Sequence, residues 1–565
     1  MNQRRLLPLL LLIIITTSSS FGTLNNVDAD AGEPWAQDPI QQPQQEPAPM
    51  SGEWQLLHAN IGVSAMHMQL LPGDYVLMFD RTDTGPSNLS LPTSSSSSCT
   101  AAMTSKSNST PSPEEAEDCT AHSVLLDLRS NALHPYPLAT NPWCSSGALL
   151  PNGTLLQTGG FAAGDRVARL FDPATGWTDL PSALAARRCN LVPVLGGDDG
   201  PGRRGQPVPV PAPPPRRHRL RLRQRPRGHP RPLQPVPAPP PPSRPRRGPT
   251  ELPFLRLLRP PPSPPLLQLR PRGGAGLRGG GGGGPRGSYR LALRNGTFVD
   301  ADRTCARVAP TDPDPAWAVE EMPVGRVMGD MVLLPTGEVV IVNGAARGTA
   351  GWELGRGPVT RPVLYRPDAP LGERFEEMIG TTTPRMYHSA ATLDSLGRVL
   401  VGGSNPHVGY VFASNGMSNN GTSSVLYPTE LSLEAFLPPY MDARLDGVRP
   451  RVVAAPAEVG YGEAAVVRFA VDSAEVGGVA DGDDVVKVTA VAPGFATHSF
   501  GMNQRVVELA VGRVVRLGVG VYEAEVAAPP TPGVAPPGYY LWFVLHAGVP
   551  STAAWVRLRP LGPLP

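Results

Sequence analysis

The feature that most constrains the fold is a repeated pattern: an apolar run, a Gly-containing turn, a second apolar run, then Gly-Gly or an acidic turn. Met66-His-Met-Gln-Leu-Leu-Pro-Gly73 leads into Tyr75-Val-Leu-Met-Phe79-Asp80, and Gly147-Ala-Leu-Leu-Pro-Asn-Gly153 into Thr154-Leu-Leu-Gln-Thr-Gly159-Gly160. The pattern returns at Met331-Val-Leu-Leu-Pro-Thr-Gly337 with Val339-Val-Ile-Val-Asn-Gly344, and at Ala391-Thr-Leu-Asp-Ser-Leu-Gly397 with Arg398-Val-Leu-Val-Gly402-Gly403. Each unit reads as a β-hairpin. Small antiparallel sheets recurring at tens of residues must stack on one another to bury both faces, which is the sign of a propeller. The diglycine suits a kelch-type blade, where close backbone approach leaves no space for side chains. A large β-sandwich is the competing architecture.

The pattern begins near Trp54, behind a polar Pro/Gln/Glu-rich leader, and carries a Ser/Thr/Pro-rich insertion between Pro86 and Glu117 that reads as an exposed loop. It fails after Arg187-Arg188. From Gly200 to about Gly287 the chain is Pro, Arg, Leu and Gly, and no blade can be drawn there. An Arg/Pro-rich arm binding nucleic acid or an acidic polymer is one reading of this segment. A stretch read out of frame has the same bias, and the abrupt stop and resumption at Ser288-Tyr289-Arg-Leu-Ala-Leu favour it; residues about 189–287 are thus disordered or out of frame. From Arg449 the runs become Val/Ala-rich (466–471, 485–492, 506–511, 514–528) and end in Tyr539-Tyr540-Leu-Trp-Phe-Val-Leu545. A small immunoglobulin-like β-sandwich over 449–565 is expected to pack on a propeller over 52–448.

Arg4-Arg5 followed by the apolar run Leu6–Ile15 reads as a secretory signal within residues 1–31, too short to span a bilayer. A soluble extracellular protein of the apoplast or cell wall is expected, with no membrane and no nucleic-acid partner, as a monomer. Sequons at Asn88, Asn108, Asn152, Asn295 and Asn420 fit that compartment. So does disulfide formation, but five cysteines (Cys99, Cys119, Cys144, Cys189, Cys305) leave at least one without a disulfide partner. Cys99 with Cys119, or either with Cys305, are open pairings.

Thr383-Pro-Arg-Met-Tyr387-His388-Ser389 places a phenol beside an imidazole just ahead of an apolar strand. Copper(II) favours imidazole and phenolate donors in a near-square plane, so this pair could furnish two ligands while a further His comes from elsewhere. An isolated Tyr-His pair is more often an ordinary strand edge, and the surrounding motifs decide between the two.

Pro142-Trp143-Cys144-Ser-Ser-Gly147, Arg326-Val-Met-Gly-Asp330-Met331, Arg385-Met-Tyr387-His388-Ser389 and Thr497-His498-Ser499-Phe500, in this order, resemble the copper radical oxidases of the galactose oxidase and glyoxal oxidase family. The closest likeness is to the secreted plant-type aldehyde oxidases. The resemblance implies a seven-bladed propeller, a C-terminal early-set domain whose loop reaches the propeller core, and one copper ion. It implies Tyr387 as axial ligand and general base, His388 and His498 as imidazole ligands, and Arg326 as a residue orienting substrate. An Arg before an apolar strand also reads as a donor tying blade to blade. The family oxidises small aldehydes or primary alcohols with O2 and releases hydrogen peroxide.

Cys144 matches the cysteine that the family joins by a thioether to a radical-bearing tyrosine. That tyrosine should follow Arg187-Arg188, where this chain has Cys189-Asn190; no tyrosine occurs between Tyr136 and Tyr289. Impaired turnover of this chain is therefore expected. The alternative is an inactive propeller that binds cell-wall carbohydrate or protein. His67, His122 and His407 read as structural.

Overall fold

The computed structural model describes residues 51–92, 118–181, 276–278, 288–308, 314, 316–412, 425–472 and 486–560. The leader, Cys99, Cys189, Asn108, Asn420 and nearly all of the Pro/Arg/Gly-rich segment lie outside these residues.

The repeated hairpins form antiparallel blades, and the fold is all-β as expected. One blade comprises His67–Leu71, Tyr75–Phe79, Ser123–Asp127 and Ala132–Tyr136. A second comprises Ser146–Leu149, Leu155–Thr158, Ala168–Asp172 and Gly176–Leu180. Gly276–Arg278, Thr304–Val308 and Ala318–Glu321 form a three-stranded sheet, and Asp330–Leu333, Val339–Val342, Val363–Tyr365 and Phe375–Glu377 another blade. The closing blade takes three strands from Ser389–Leu393, Val399–Gly403 and Leu433–Leu437, and its fourth from Glu53–His58 at the other end of the propeller sequence. Among the described residues, no helix is long and apolar enough to cross a membrane.

Each diglycine does what close approach demands. A Cβ on Gly160 would lie 2.1 Å from the Asn141 carbonyl oxygen, and one on Gly403 would lie 2.7 Å from the Ala65 nitrogen. Buried arginines tie the inner strands together. Arg169 donates to Gln157 Oε1 (2.7 Å), Gly159 O (2.6 Å) and Thr140 Oγ1 (2.7 Å). Arg385 donates to Glu434 Oε2 (2.8 Å), Gly403 O (2.9 Å) and Ser432 Oγ (2.8 Å).

Ser288–Asn295 corrects the strand-like reading of that stretch: it is an α-helix. Its alternating Tyr289, Leu291 and Leu293 mimic a strand, but the residues it buries are Ser288 and Ala292, four apart and therefore on one helical face. Gly296 ends it at φ 63°.

The C-terminal residues form a sandwich whose core includes Phe469, Tyr522, Trp542 and Val556. What read as separate runs near 506–511 and 514–528 is instead one long strand, Arg505–Gly518, followed by Val521–Ala527. The long strand pairs with Val486–Ala492 through its first half and with Val521–Ala527 through its second, with a register shift between Val511 and Val514. Such a bulge lets one strand serve two differently oriented partners.

The sandwich reaches the propeller through the hairpin Phe495–Thr497/Phe500–Met502, which extends the first blade: His67 pairs with Thr497, Met68 with Ala496 and Gln69 with Phe495. Asn503 Nδ2 donates to Gly147 O of the second blade (2.9 Å). Gln504 accepts from Leu333 N (3.1 Å) and donates to Met331 O (2.8 Å) of a third. Phe495 is buried against Gly147, where an added Cβ would sit 2.4 Å from the ring. Gly147→Ala is therefore expected to cost about 1–3 kcal/mol through overpacking, read as a lower thermal midpoint. Gly447→Ala, with nothing within 4 Å of its added Cβ, should stay within about 0.5 kcal/mol.

Candidate metal centre

Tyr387 and His388 sit in a turn just before the strand Ser389–Leu393, and the turn is held from every side. Arg385 is anchored as above, Met386 N donates to Ser404 Oγ (3.0 Å), Asn405 N to Tyr387 O (2.9 Å), and Ser389 Oγ to Met386 O (2.8 Å). The turn forces His388 to φ 62°. His498 occupies the tip of the hairpin inserted by the sandwich, at φ 46°, with Ser499 at 67°. Non-Gly residues in the left-handed region cost about 1–3 kcal/mol each and persist where the surroundings over-determine them.

These two turns bring three rings together. The His388 ring stacks on Tyr387 with centroids 3.9 Å apart, and His498 stands edge-on to both, 4.9 Å from His388 and 6.1 Å from Tyr387. Both nitrogens of His388 and Nε2 of His498 are buried without a hydrogen-bond partner. His498 Nδ1 shares a hydrogen bond with Thr497 Oγ1 (2.8 Å); with the proton on Nδ1, Nε2 presents its lone pair. Burial holds His388 far below the usual imidazole range, reinforced by His498, Arg81 and His67. Burial, then Arg81, bring His498 down to about 3. Both are therefore neutral nitrogen donors at any ordinary pH.

Two neutral imidazoles and a phenol suit copper(II) by donor chemistry. No trio of His, Cys, Asp or Glu among the described residues is placed to hold a metal ion; the oxygen donor beside the two imidazoles is the Tyr387 phenol, whose ring stacks on His388. Of the residues picked out from sequence, Tyr387, His388 and His498 thus come together. Cys144 retains its thiol, is buried, and sits at φ 61° in the turn after Trp143, beside the strand against which Phe495 packs. Arg326 is buried with its guanidinium donating to the carbonyls of Ile341 (3.4 Å), Asn343 (3.0 Å) and Arg361 (3.1 Å). These acceptors lie on or beside the strands Val339–Val342 and Val363–Tyr365 of a single blade, so Arg326 ties that blade internally rather than blade to blade.

His122 bonds Asp118 Oδ2 (2.9 Å), and His407 bonds Glu353 Oε1 and Tyr427 O (3.0 Å each), as structural histidines do. His67 packs flat on Phe79 but also lies 6.0 Å from His498. Cys119 is disulfide-bonded, while Cys305 keeps its thiol, which removes Cys305 from the open pairings. Asn88, Asn152 and Asn295 are exposed.

Sequence reading missed a cluster formed around Trp143, next to Cys144. Arg81 follows the strand Tyr75–Phe79 and is buried, its guanidinium 4.8 Å from the Trp143 ring and 5.1 Å from that of Trp352. The two indoles stack at 5.3 Å. The Trp-Cys motif was the available signal for Trp143; nothing local marks Arg81 or Trp352.

Residues 66–191 and 280–440 match the Glyoxal oxidase N-terminus family, and 449–558 match the Galactose oxidase-like, Early set domain. The chain is 34% identical to Aldehyde oxidase GLOX1 of Arabidopsis thaliana, across 90% of this chain and 84% of that one. It is also 34% identical to Aldehyde oxidase GLOX of Vitis pseudoreticulata, across 91% and 98%. The chain belongs to the copper radical oxidases of the glyoxal oxidase and galactose oxidase family. A fungal alcohol oxidase of the AA5 family, solved with copper, superposes with a TM-score of 0.53 over 90% of this chain and 100% of that one; at 15% identity it speaks for the fold. Residues 192–279 fall outside both family matches, within the stretch where the blade pattern fails.

Between pH 6.5 and about 3 the unfolded chain protonates His498 and the folded chain does not. Its contribution to stability is present above pH 6.5 and is lost as pH falls toward 3. In metal-free protein His498→Asn should remove up to about 1.4 kcal/mol per pH unit of slope across this window, measured by denaturant unfolding. Equal slopes in both proteins would contradict a neutral buried imidazole.

Proposed function

We propose that this chain is a secreted copper oxidase acting on small aldehydes, or on primary alcohols, with Tyr387, His388 and His498 as copper ligands. The observation that carries this is the pair of neutral imidazoles with unpartnered buried nitrogens beside a phenol. A buried donor left without a partner costs about 1–3 kcal/mol, and a metal would remove that penalty. The disulfide at Cys119 and the exposed sequons at Asn88, Asn152 and Asn295 fit an extracellular site of action. Monomeric action without nucleic-acid or membrane partners completes the reading.

Bound copper would anchor the substrate oxygen and accept one of the two electrons the oxidation releases. An aldehyde enters as its hydrate, which has a hydroxyl and a C–H on one carbon; hydrate and O2 become acid and H2O2. Tyr387 takes the hydroxyl proton at its Oη as general base. His388 and His498 stay neutral, so neither competes for that proton. The second electron requires the tyrosine that the family links to its cysteine. Cys144 is present, but the chain has no tyrosine between Tyr136 and Tyr289, so turnover is impaired.

The purified chain is expected to bind about one copper per molecule, as the family's single-metal site implies, with nitrogen hyperfine structure in its electron paramagnetic resonance spectrum. His388→Ala or His498→Ala should weaken binding at least about tenfold. Peroxide from methylglyoxal should stay at background in this chain and appear once the reading frame across 189–287 is restored with a tyrosine after Arg188. Copper loading without peroxide in the restored protein, across a panel of aldehydes and alcohols, would support the cell-wall-binding alternative instead.

A further inference from the structure

We infer that residues 51–181 and 276–560 are two complementary halves that hold each other without the peptide link between them, so that a chain severed between residues 182 and 275 remains one folded particle. The inference goes beyond the oxidase reading, and the association it asserts does not rest on copper.

The link leaves the strand Gly176–Leu180 and returns at Gly276–Arg278. None of the joins between the halves described below involves either strand. The first join closes the propeller: Glu53–His58 pairs with Leu433–Leu437, the Trp54 ring packs on Phe436 at 5.3 Å, and Trp54 Nε1 donates to Ile379 O (2.9 Å). Ile379 N donates back to Ser51 O (2.9 Å), and Ile61 N to Leu431 O (2.9 Å).

A second join is centred on Tyr410. Its hydroxyl donates to Asp80 Oδ2 (3.0 Å) and accepts from Ser64 N (3.2 Å), and its backbone N–H donates to Thr84 O (2.8 Å). Arg81 Nη1 donates to Val408 O (3.1 Å), Ser404 N donates to Ser64 Oγ (3.2 Å), and Trp143 stacks on Trp352 with centroids 5.3 Å apart. The third join is made by the sandwich. Besides the pairing of Phe495–Thr497 with His67–Gln69 and the bond from Asn503 to Gly147, Trp555 Nε1 donates to Asp74 Oδ1 (2.8 Å) and Arg557 Nε to Pro151 O (3.1 Å).

Together with the two strand ladders, these bonds reach the roughly ten hydrogen bonds of an ordinary stable protein interface. The apolar core is shared as well. Met68, Leu70 and Val76 of the earlier half lie in one buried cluster with Val340, Leu400 and Phe436 of the later half, and Phe495 lies buried with Leu71, Phe79 and Phe171. A core divided between two partners is the mark of an obligate interface. A tether adds a local concentration of about a millimolar, which halves joined in this way do not need. Tyr387, His388 and His498 all belong to the later half, yet His498 takes its position from His67–Gln69 of the earlier one. The proposed copper site is therefore completed across the interface.

The test uses the full chain with a site for a sequence-specific protease inserted between Gly200 and Pro201. After cutting, native size-exclusion chromatography with light scattering should show one species of unchanged mass, which resolves into two pieces only in denaturant. Pieces that separate or precipitate in native buffer overturn the proposal. If the inserted site resists the protease, residues 1–200 and 201–565 are coexpressed as two chains; co-purification is expected, and independent elution overturns the proposal. Trp54→Ala should speed the exchange of cut halves with labelled halves at least tenfold, as loss of a buried aromatic anchor would, and leave the elution of the uncut chain unchanged. Should Trp54→Ala fail to fold, Asn503→Ala takes its place with an expected change of about fivefold, as loss of one hydrogen bond would give. Unchanged exchange in the variant used overturns the assignment of the joins. Copper per molecule is measured on uncut and cut protein and should be equal. Halves that stay together but lose copper on cutting overturn the claim that the interface completes the site. No copper uptake by the uncut chain sinks the metal reading and leaves the association standing, since association is read without copper.

Discussion

Three backbone pairings, His67 with Thr497, Met68 with Ala496 and Gln69 with Phe495, attach a loop of the C-terminal sandwich to the first blade as an added strand. The placement of His498 beside Tyr387 and His388, and so the proposed metal site, depends on them. They fix the hairpin's height and register, and a one-residue slip would turn Thr497 and its neighbours to the opposite face. Asn503 and Gln504 then grip two further blades by backbone hydrogen bonds, so the hairpin is held in three directions. His498 needs that precision, because it must present one nitrogen beside the Tyr387–His388 stack.

Around that anchor the protein maintains several unfavourable features at once. Cys144, Met328, His388 and His498 all have positive φ, and the imidazoles are buried with nitrogens unsatisfied. Such costs are met by the packing of the blades, whose shared core includes Met68, Leu70, Val340, Leu400 and Phe436. They persist only where neighbouring bonds leave no alternative, as the Arg385–Glu434–Gly403 network leaves none for the turn at Tyr387. Rigidity of this kind is what a metal ion with a preferred geometry requires of its ligands.

Blade hairpins were legible in the sequence because strand alternation and Gly turns are local properties, and the diglycines because Gly alone tolerates a carbonyl at 2.1 Å from its missing Cβ. The Tyr387-His388 pair was visible as chemistry, and its association with His498 came through motif order. Arg81 and Trp352 were not, since their proximity arises from the closure of blades far apart in sequence. Ser288–Leu293 misled because an alternating apolar pattern over six residues fits a strand as well as a short amphipathic helix. Arg326 and Arg385 look alike in sequence; only the partners show that each is occupied in tying its own blade.

The closing blade takes its fourth strand from residues 53–58, and the first blade takes its added strand from residues 495–497. Both joints bring together segments several hundred residues apart in sequence. During synthesis the strand His67–Leu71, buried at every position in the finished protein, has an open edge until the sandwich emerges. Contacts of such sequence separation form late and slowly, and an unpaired apolar edge in the interval is a template for wrong pairing. The trio Tyr387, His388 and His498 is thus among the last features to assemble, and as the proposed ligands they would be available to a metal only once both ends of the fold have closed.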